Sequence, residues 1–167
     1  MVALARAELG MPPALARAIT EAACLVGLEN RGIPGLTDWR ANRVDFEKNR
    51  LTTDKERYMR SRALADAAPH LTVGIPTIGW LRAALRSMAE VGDPGYARGI
   101  GIPMLFFIAG KDVIVDQSAI EDFSARVKSG THVILANARH EILQEADENR
   151  GRFWAAFDAY LDIEQAA

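Results

Sequence analysis

MLFFIAGKDVIVD, residues 104–116, decides the fold of this chain. The run from Met104 to Ala109 is apolar without alternation, as in a strand covered on both faces. It stops at Gly110 and then presents an aspartate, Asp112. A second run, THVILANARHEIL (131–143), has the same form and ends by presenting His140, 28 positions after the acid. Between them, residues 117–128 carry Ile120, Phe123 and Val127 at helical spacing and stop at Gly130. A final helix presents Phe153, Trp154, Phe157 and Leu161 on one side. The order strand, helix, strand, helix predicts parallel strands joined by a right-handed crossover. The crossover from Ala109 to His132 is long enough to hold its helix. Both ionisable residues then fall just past the carboxyl end of a strand, the rim where open α/β sheets collect ligands.

Outward from this unit the character changes. The first hundred residues read as helical. PPALARAITEAACLVGLENRG opens with prolines suited to a first turn and closes at Gly32, with Leu15, Ile19, Ala22 and Val26 on one face. GIPGLTDWRANRVDFEKN (32–49) carries too much turn chemistry for one element and reads as loop and short helix. Thr53 and Glu56 have the spacing of a capping box, which starts a helix running to about Ala67. HLTVGIP reads as an irregular connector. Thr77 is placed to cap the next helix, with Ile78, Leu81, Leu85 and Met88 on one face, and GDPGYARGIGIP reads as a turn-rich boundary.

Composition excludes several classes. With 49% hydrophobic and 25% charged residues and a net charge of −2, the 167-residue chain is globular and lacks the basic surplus of a nucleic-acid binder. A single cysteine, Cys24, excludes an internal disulfide framework and fits a reducing compartment. Arg6 and Glu8 interrupt any apolar leader, and no run approaches a membrane span, so a cytoplasmic protein is expected. The three histidines are too far apart for a metal cluster, and no cofactor is called for.

An acid after one strand and a histidine after the next suit acyl transfer. A serine hydroxyl is a poor nucleophile until a histidine takes its proton, and a carboxylate holds that imidazole in the right tautomer. Asp112 and His140 occupy the second and third places of the order Ser, Asp, His. Asp116 competes for the acid role, although its position before the helix also suits a cap. His70 and His132 have no acid at a telling position.

Three motifs carry a resemblance. NRLTTDKERY (49–58) is similar to a cap-region pattern N-x-L-T-x-D-x-x-R. GIPTIGWL (74–81) resembles the stretch that closes that cap, and AGKDVIVD with ARHEILQE resembles acid and histidine motifs. Together they resemble the C-terminal part of an α/β-hydrolase of the bacterial lysophospholipase and monoacylglycerol lipase branch, also called serine aminopeptidase-like. The resemblance implies a helical cap over residues 1–100 and the βαβα end of the core over 101–167, with Asp112 and His140 as triad members. It implies a serine ester hydrolase acting on a monoacyl lipid or small ester, with Ile78 and Trp80 as walls of the acyl pocket and peripheral membrane contact left open.

The serines Ser61, Ser87, Ser118, Ser124 and Ser129 include none in a G-x-S-x-G elbow. By the resemblance, the nucleophile and oxyanion loop are expected upstream of Met1, and the chain alone is expected to be inactive and prone to associate through an unpaired strand edge. The alternative is a non-catalytic remnant that binds a partner or lipid.

Overall fold

The computed structural model describes residues 10–35 and 44–161. In chain order its helices and strands are α1 (Pro13–Leu25), α2 (Lys55–Ala67), α3 (Ile78–Val91), α4 (Pro94–Gly99), β1 (Met104–Ala109), α5 (Gln117–Arg126), β2 (Gly130–Leu135) and α6 (Asp147–Tyr160). Short 3-10 turns lie at Phe46–Lys48, Pro69–Leu71 and Ile142–Gln144.

The two strands are parallel, in register from Met104 opposite Gly130 to Ala109 opposite Leu135. The expected strand-helix-strand-helix order is therefore observed, with β2 beginning two residues earlier than its apolar run suggests. Apolar layers flank the pair. Ala97, Phe123 and Val127 bury together with Phe106 and Met104 against them. Ala109, Leu135 and Ala138 form a second cluster with Phe107 and Phe153. The rings of Phe107 and Phe153 lie 4.2 Å apart, fixing α6 to β1. Burial is uneven: Ile108 is fully enclosed, whereas Ile134 on the neighbouring strand is 48% exposed.

Gly110, just past the end of β1, sits where no side chain fits. A Cβ there would lie 2.7 Å from the Cα of Ala136 and 2.8 Å from its carbonyl oxygen. The two strand ends approach this closely while the Gly110 N–H donates to the Leu135 carbonyl. The loops carrying Asp112 and His140 are thereby brought side by side.

The helical half departs from its sequence pattern in four places. α1 stops at Leu25 rather than near Gly32, because Gly27 adopts a left-handed φ of +81° that ends the helix. The residues α1 buries are Ala16 and Thr20, and Leu15 and Ile19 remain half-exposed. α1 packs against α3. The capping box is not formed: Asp54, one residue on, caps α2 by accepting from the Arg57 N–H, and the Thr53 hydroxyl is used elsewhere. Finally, the turn-rich boundary contains α4, capped by Asp93, whose Ala97 is fully buried.

Other expectations hold. Thr77 caps α3, accepting from the Trp80 N–H, and Asp116 caps α5, accepting from the Ala119 N–H. Part of the loop expected between Gly32 and Asn49 lies outside the described residues. Its start, unforeseen, forms an antiparallel bridge from Gly32 to Thr77.

Candidate active site

Asp112 sits in the tight turn after β1, and local geometry holds its carboxylate. Oδ1 accepts from the Ile114 N–H at 2.8 Å and the Val115 N–H at 3.2 Å, a turn closed by the side chain itself. The Gln117 side chain donates to the Asp112 carbonyl at 2.8 Å. The loop is tied to the next strand's exit as well, since the Lys111 N–H donates to the Ala138 carbonyl.

The other carboxylate oxygen faces the histidine. Asp112 Oδ2 and His140 Nδ1 are 2.8 Å apart. The Asp112 side chain is 4% exposed and the His140 side chain 30%. This geometry suits the neutral tautomer in which Nδ1–H donates to the carboxylate and the Nε2 lone pair is free. The acid is thus enclosed while the imidazole keeps an open side. Asp116 does not compete, being engaged as the α5 cap and with the Ser118 hydroxyl.

The remaining histidines have different surroundings. His132 Nδ1 lies 2.9 Å from the Ser124 hydroxyl. That hydroxyl also donates to the Glu121 carbonyl and is buried, so its proton is committed and the pair offers no activated nucleophile. Among the described residues no serine is hydrogen-bonded to His140, and no group of three or more His, Cys, Asp or Glu is placed to hold a metal ion. No helix among them is long and apolar enough to cross a membrane.

A cavity of about 450 Å³ opens beside the acid loop. Val44, Leu51, Tyr58, Ala65 and Ile114 form much of its wall, with Arg62 among the lining side chains. Ile78 and Trp80 lie in the first turn of α3 and do not line this cavity, and Trp80 is 48% exposed.

The last residue of the ARHEILQE motif has a place at the site that the motif alone does not explain. Glu145, five positions after His140, is fully buried. Its Oε1 accepts from the backbone N–H of Arg139 at 2.8 Å and of Thr53 at 3.1 Å. Its Oε2 accepts from the Thr53 hydroxyl and from the Ala146 N–H. Its partners in the Asn49–Arg57 segment lie about ninety positions away. The motifs N-x-L-T-x-D-x-x-R and ARHEILQE marked the two segments but not the bonds between them.

The chain is similar to several known proteins. A family model described as serine aminopeptidase, S33, matches residues 10–147. The protein called "Probable lysophospholipase L2" of Haemophilus influenzae is 28% identical over 119 residues, covering 71% of this chain and 37% of that protein. Lysophospholipase L2 of Escherichia coli K12 is 29% identical over 140 residues, covering 77% and 38%. Among solved structures, a soluble variant of monoglyceride lipase from Saccharomyces cerevisiae superposes with a TM-score of 0.65 at 18% identity, over 96% of this chain and 52% of that one. A carboxyl esterase from Bacillus coagulans gives a TM-score of 0.61 at 14% identity, over 90% and 52%. The chain therefore spans well under half of the curated relatives and about half of the solved neighbours, and its fold is the C-terminal portion of theirs. With the match running from Gly10 into α6, the chain belongs to the serine aminopeptidase S33 family of α/β-hydrolases.

Proposed function

We propose that this chain supplies the acid and the histidine of a serine ester hydrolase acting on monoacyl lipids or related small esters. The observation that carries the reading is the bond of 2.8 Å between an enclosed Asp112 carboxylate and the Nδ1 of a part-exposed His140. In this arrangement Nε2 takes the proton of a serine hydroxyl as it attacks the ester carbonyl. The imidazolium so formed is stabilised by Asp112, which stays ionised, and the proton then passes to the departing alkoxide. The serine is expected on a segment outside this chain, so the 167 residues alone are proposed to be inactive.

Substrate class rests on two supports. The relatives in Haemophilus influenzae and Escherichia coli are lysophospholipases by name. The apolar cavity beside Ile114 opens two residues from the acid and suits a single acyl chain. Ile78 and Trp80, which lie outside that cavity at the start of α3, remain proposed as substrate contacts from a separate part of the helical half.

A second reading is a partner- or lipid-binding module without catalysis. Joining the chain to an upstream segment that carries a G-x-S-x-G elbow separates the two. The enzyme reading predicts hydrolysis of p-nitrophenyl esters and monoacylglycerol by the joined protein, lost on the order of 10⁶-fold in His140→Ala. A joined protein that binds monoacylglycerol without cleaving it would establish the second reading instead.

A further inference from the structure

We infer that Glu145 is a positioning residue for His140, acting with the Asn49–Thr53 segment as a clamp that sets the imidazole against Asp112. The inference deepens the proposed function by naming what holds its base in place.

Both chain neighbours of His140 are pinned to the same distant segment. The Arg139 N–H, on one side, donates to Glu145 Oε1, the oxygen that also accepts from the Thr53 N–H. The Glu141 N–H, on the other side, donates to the Leu51 carbonyl at 2.8 Å. The Arg139 guanidinium reaches back to the carbonyls of Asn49 at 2.9 Å and Thr52 at 3.2 Å. The His140 backbone is therefore bracketed by bonds to residues 49–53.

The segment is itself rigid. Asn49 Oδ1 accepts from the N–H groups of Leu51 and Thr52, and the Thr52 hydroxyl donates to the Gln144 carbonyl at 2.7 Å. Arg57 locks the far end, donating to the Glu145 carbonyl and to Asp54, both at 2.8 Å. Asn49, Thr52, Glu145 and Asn149 are all buried. The same segment also reaches the acid loop, because Arg50 donates to the Val113 carbonyl at 2.7 Å. One strut thus touches the loop of the acid and the loop of the base, beside the direct bonds that join the two loops.

A buried carboxylate is suited to this role. It offers two fixed acceptors to donors from two chain segments, and these donors have no water to turn to when it is lost. In Glu145→Gln one acceptor survives, but an amide N–H₂ replaces the other and meets the donors of Thr53, Ala146 or Arg139. The clamp loosens on one side while size is kept.

The test reads the imidazole directly, so its outcome is independent of whether the protein cleaves esters. In ¹⁵N-edited NMR of the neutral form, wild-type His140 is expected as a single Nδ1–H tautomer with a low-field Nδ1 proton. Glu145→Gln is expected to lose that proton signal and show mixed tautomers at a temperature well below its melting point. Leu85→Ala, a comparably destabilising change in α3 away from the clamp, is expected to keep the wild-type signature. Should Glu145→Gln not fold, Thr53→Val removes one donor and is expected to weaken the signal in the same direction. An unchanged Nδ1–H tautomer in the folded variant, with only the melting temperature lowered, would overturn the positioning role.

Discussion

The rim around Asp112 and His140 and the helical half around α1 are held by different forces. At the rim, buried polar groups meet partners from residues far apart in the chain: Glu145, Asn49, Thr52 and Asp112 are all enclosed and bonded. In the helical half, apolar side chains remain in the open. Leu25 is 87% exposed, Val73 82%, Leu71 76% and Val26 72%. Directional bonds place atoms to within tenths of an ångström, whereas apolar packing is non-directional and tolerates repacking. The difference teaches that directional bonds are concentrated around the Asp112–His140 pair. It also reassigns a segment: Asn49–Arg57 precedes most of the helical half in sequence but is bonded to the histidine loop.

That contrast is open to attack by substitution. Glu145→Leu, which leaves buried donors of Thr53 and Arg139 without acceptors, should cost on the order of 3–5 kcal/mol, read as a lowered urea midpoint. Ile108→Ala, in the enclosed end of β1, should cost about 2–5 kcal/mol in the same titration. Gly110→Ala pushes a methyl group into the backbone of Ala136 and should cost about 1–3 kcal/mol, with amide shifts spreading into the Asp112 turn. By contrast, Leu25→Ala in the helical half should change stability by less than about 0.5 kcal/mol. If Leu25→Ala proved as costly as Glu145→Leu, the contrast between the two regions would fail.

The smallest effect concerns pH. The Arg86 guanidinium forks onto Glu21, at 2.5 and 2.7 Å, joining α3 to α1. That hydrogen bond, helped by the charges of Arg86, Arg82 and Arg17 and opposed by some desolvation, holds the Glu21 carboxyl below its ordinary value. The folded form is thus the stronger acid. The pair stabilises the fold above the unfolded carboxyl's titration and loses this contribution as pH falls through the folded one. Glu21→Gln should flatten that part of the acid limb in a stability–pH curve, leaving neutral-pH stability nearly unchanged in high salt.

What the sequence made legible follows the same division. Continuous apolar runs and their terminal residues revealed β1, β2, α5 and the pairing of Asp112 with His140, because strand period and strand end are local properties. Thr77 and Asp116 were legible as caps for the same reason. The Thr53 capping box was not, since Asp54 offers an equally local cap and Thr53 is drawn off by Glu145. Glu145 stood in the ARHEILQE motif, but its bonds were illegible because its partners lie in another part of the chain. α1 was misjudged on its buried face: it encloses Ala16 and Thr20, the latter with its hydroxyl bonded back to the Ala16 carbonyl, while Leu15 and Ile19 stay half-exposed.

The central claim is that Asp112 acts through His140, and a double-mutant cycle in the joined, nucleophile-bearing protein tests it most directly. With monoacylglycerol as substrate, Asp112→Asn should lower kcat by on the order of 10⁴ and His140→Ala by on the order of 10⁶. Members of one catalytic unit are not additive, so the double variant should fall no further than His140→Ala alone. An Asp112→Asn protein with wild-type kcat, or a double variant whose loss is the product of the two single losses, would contradict the account.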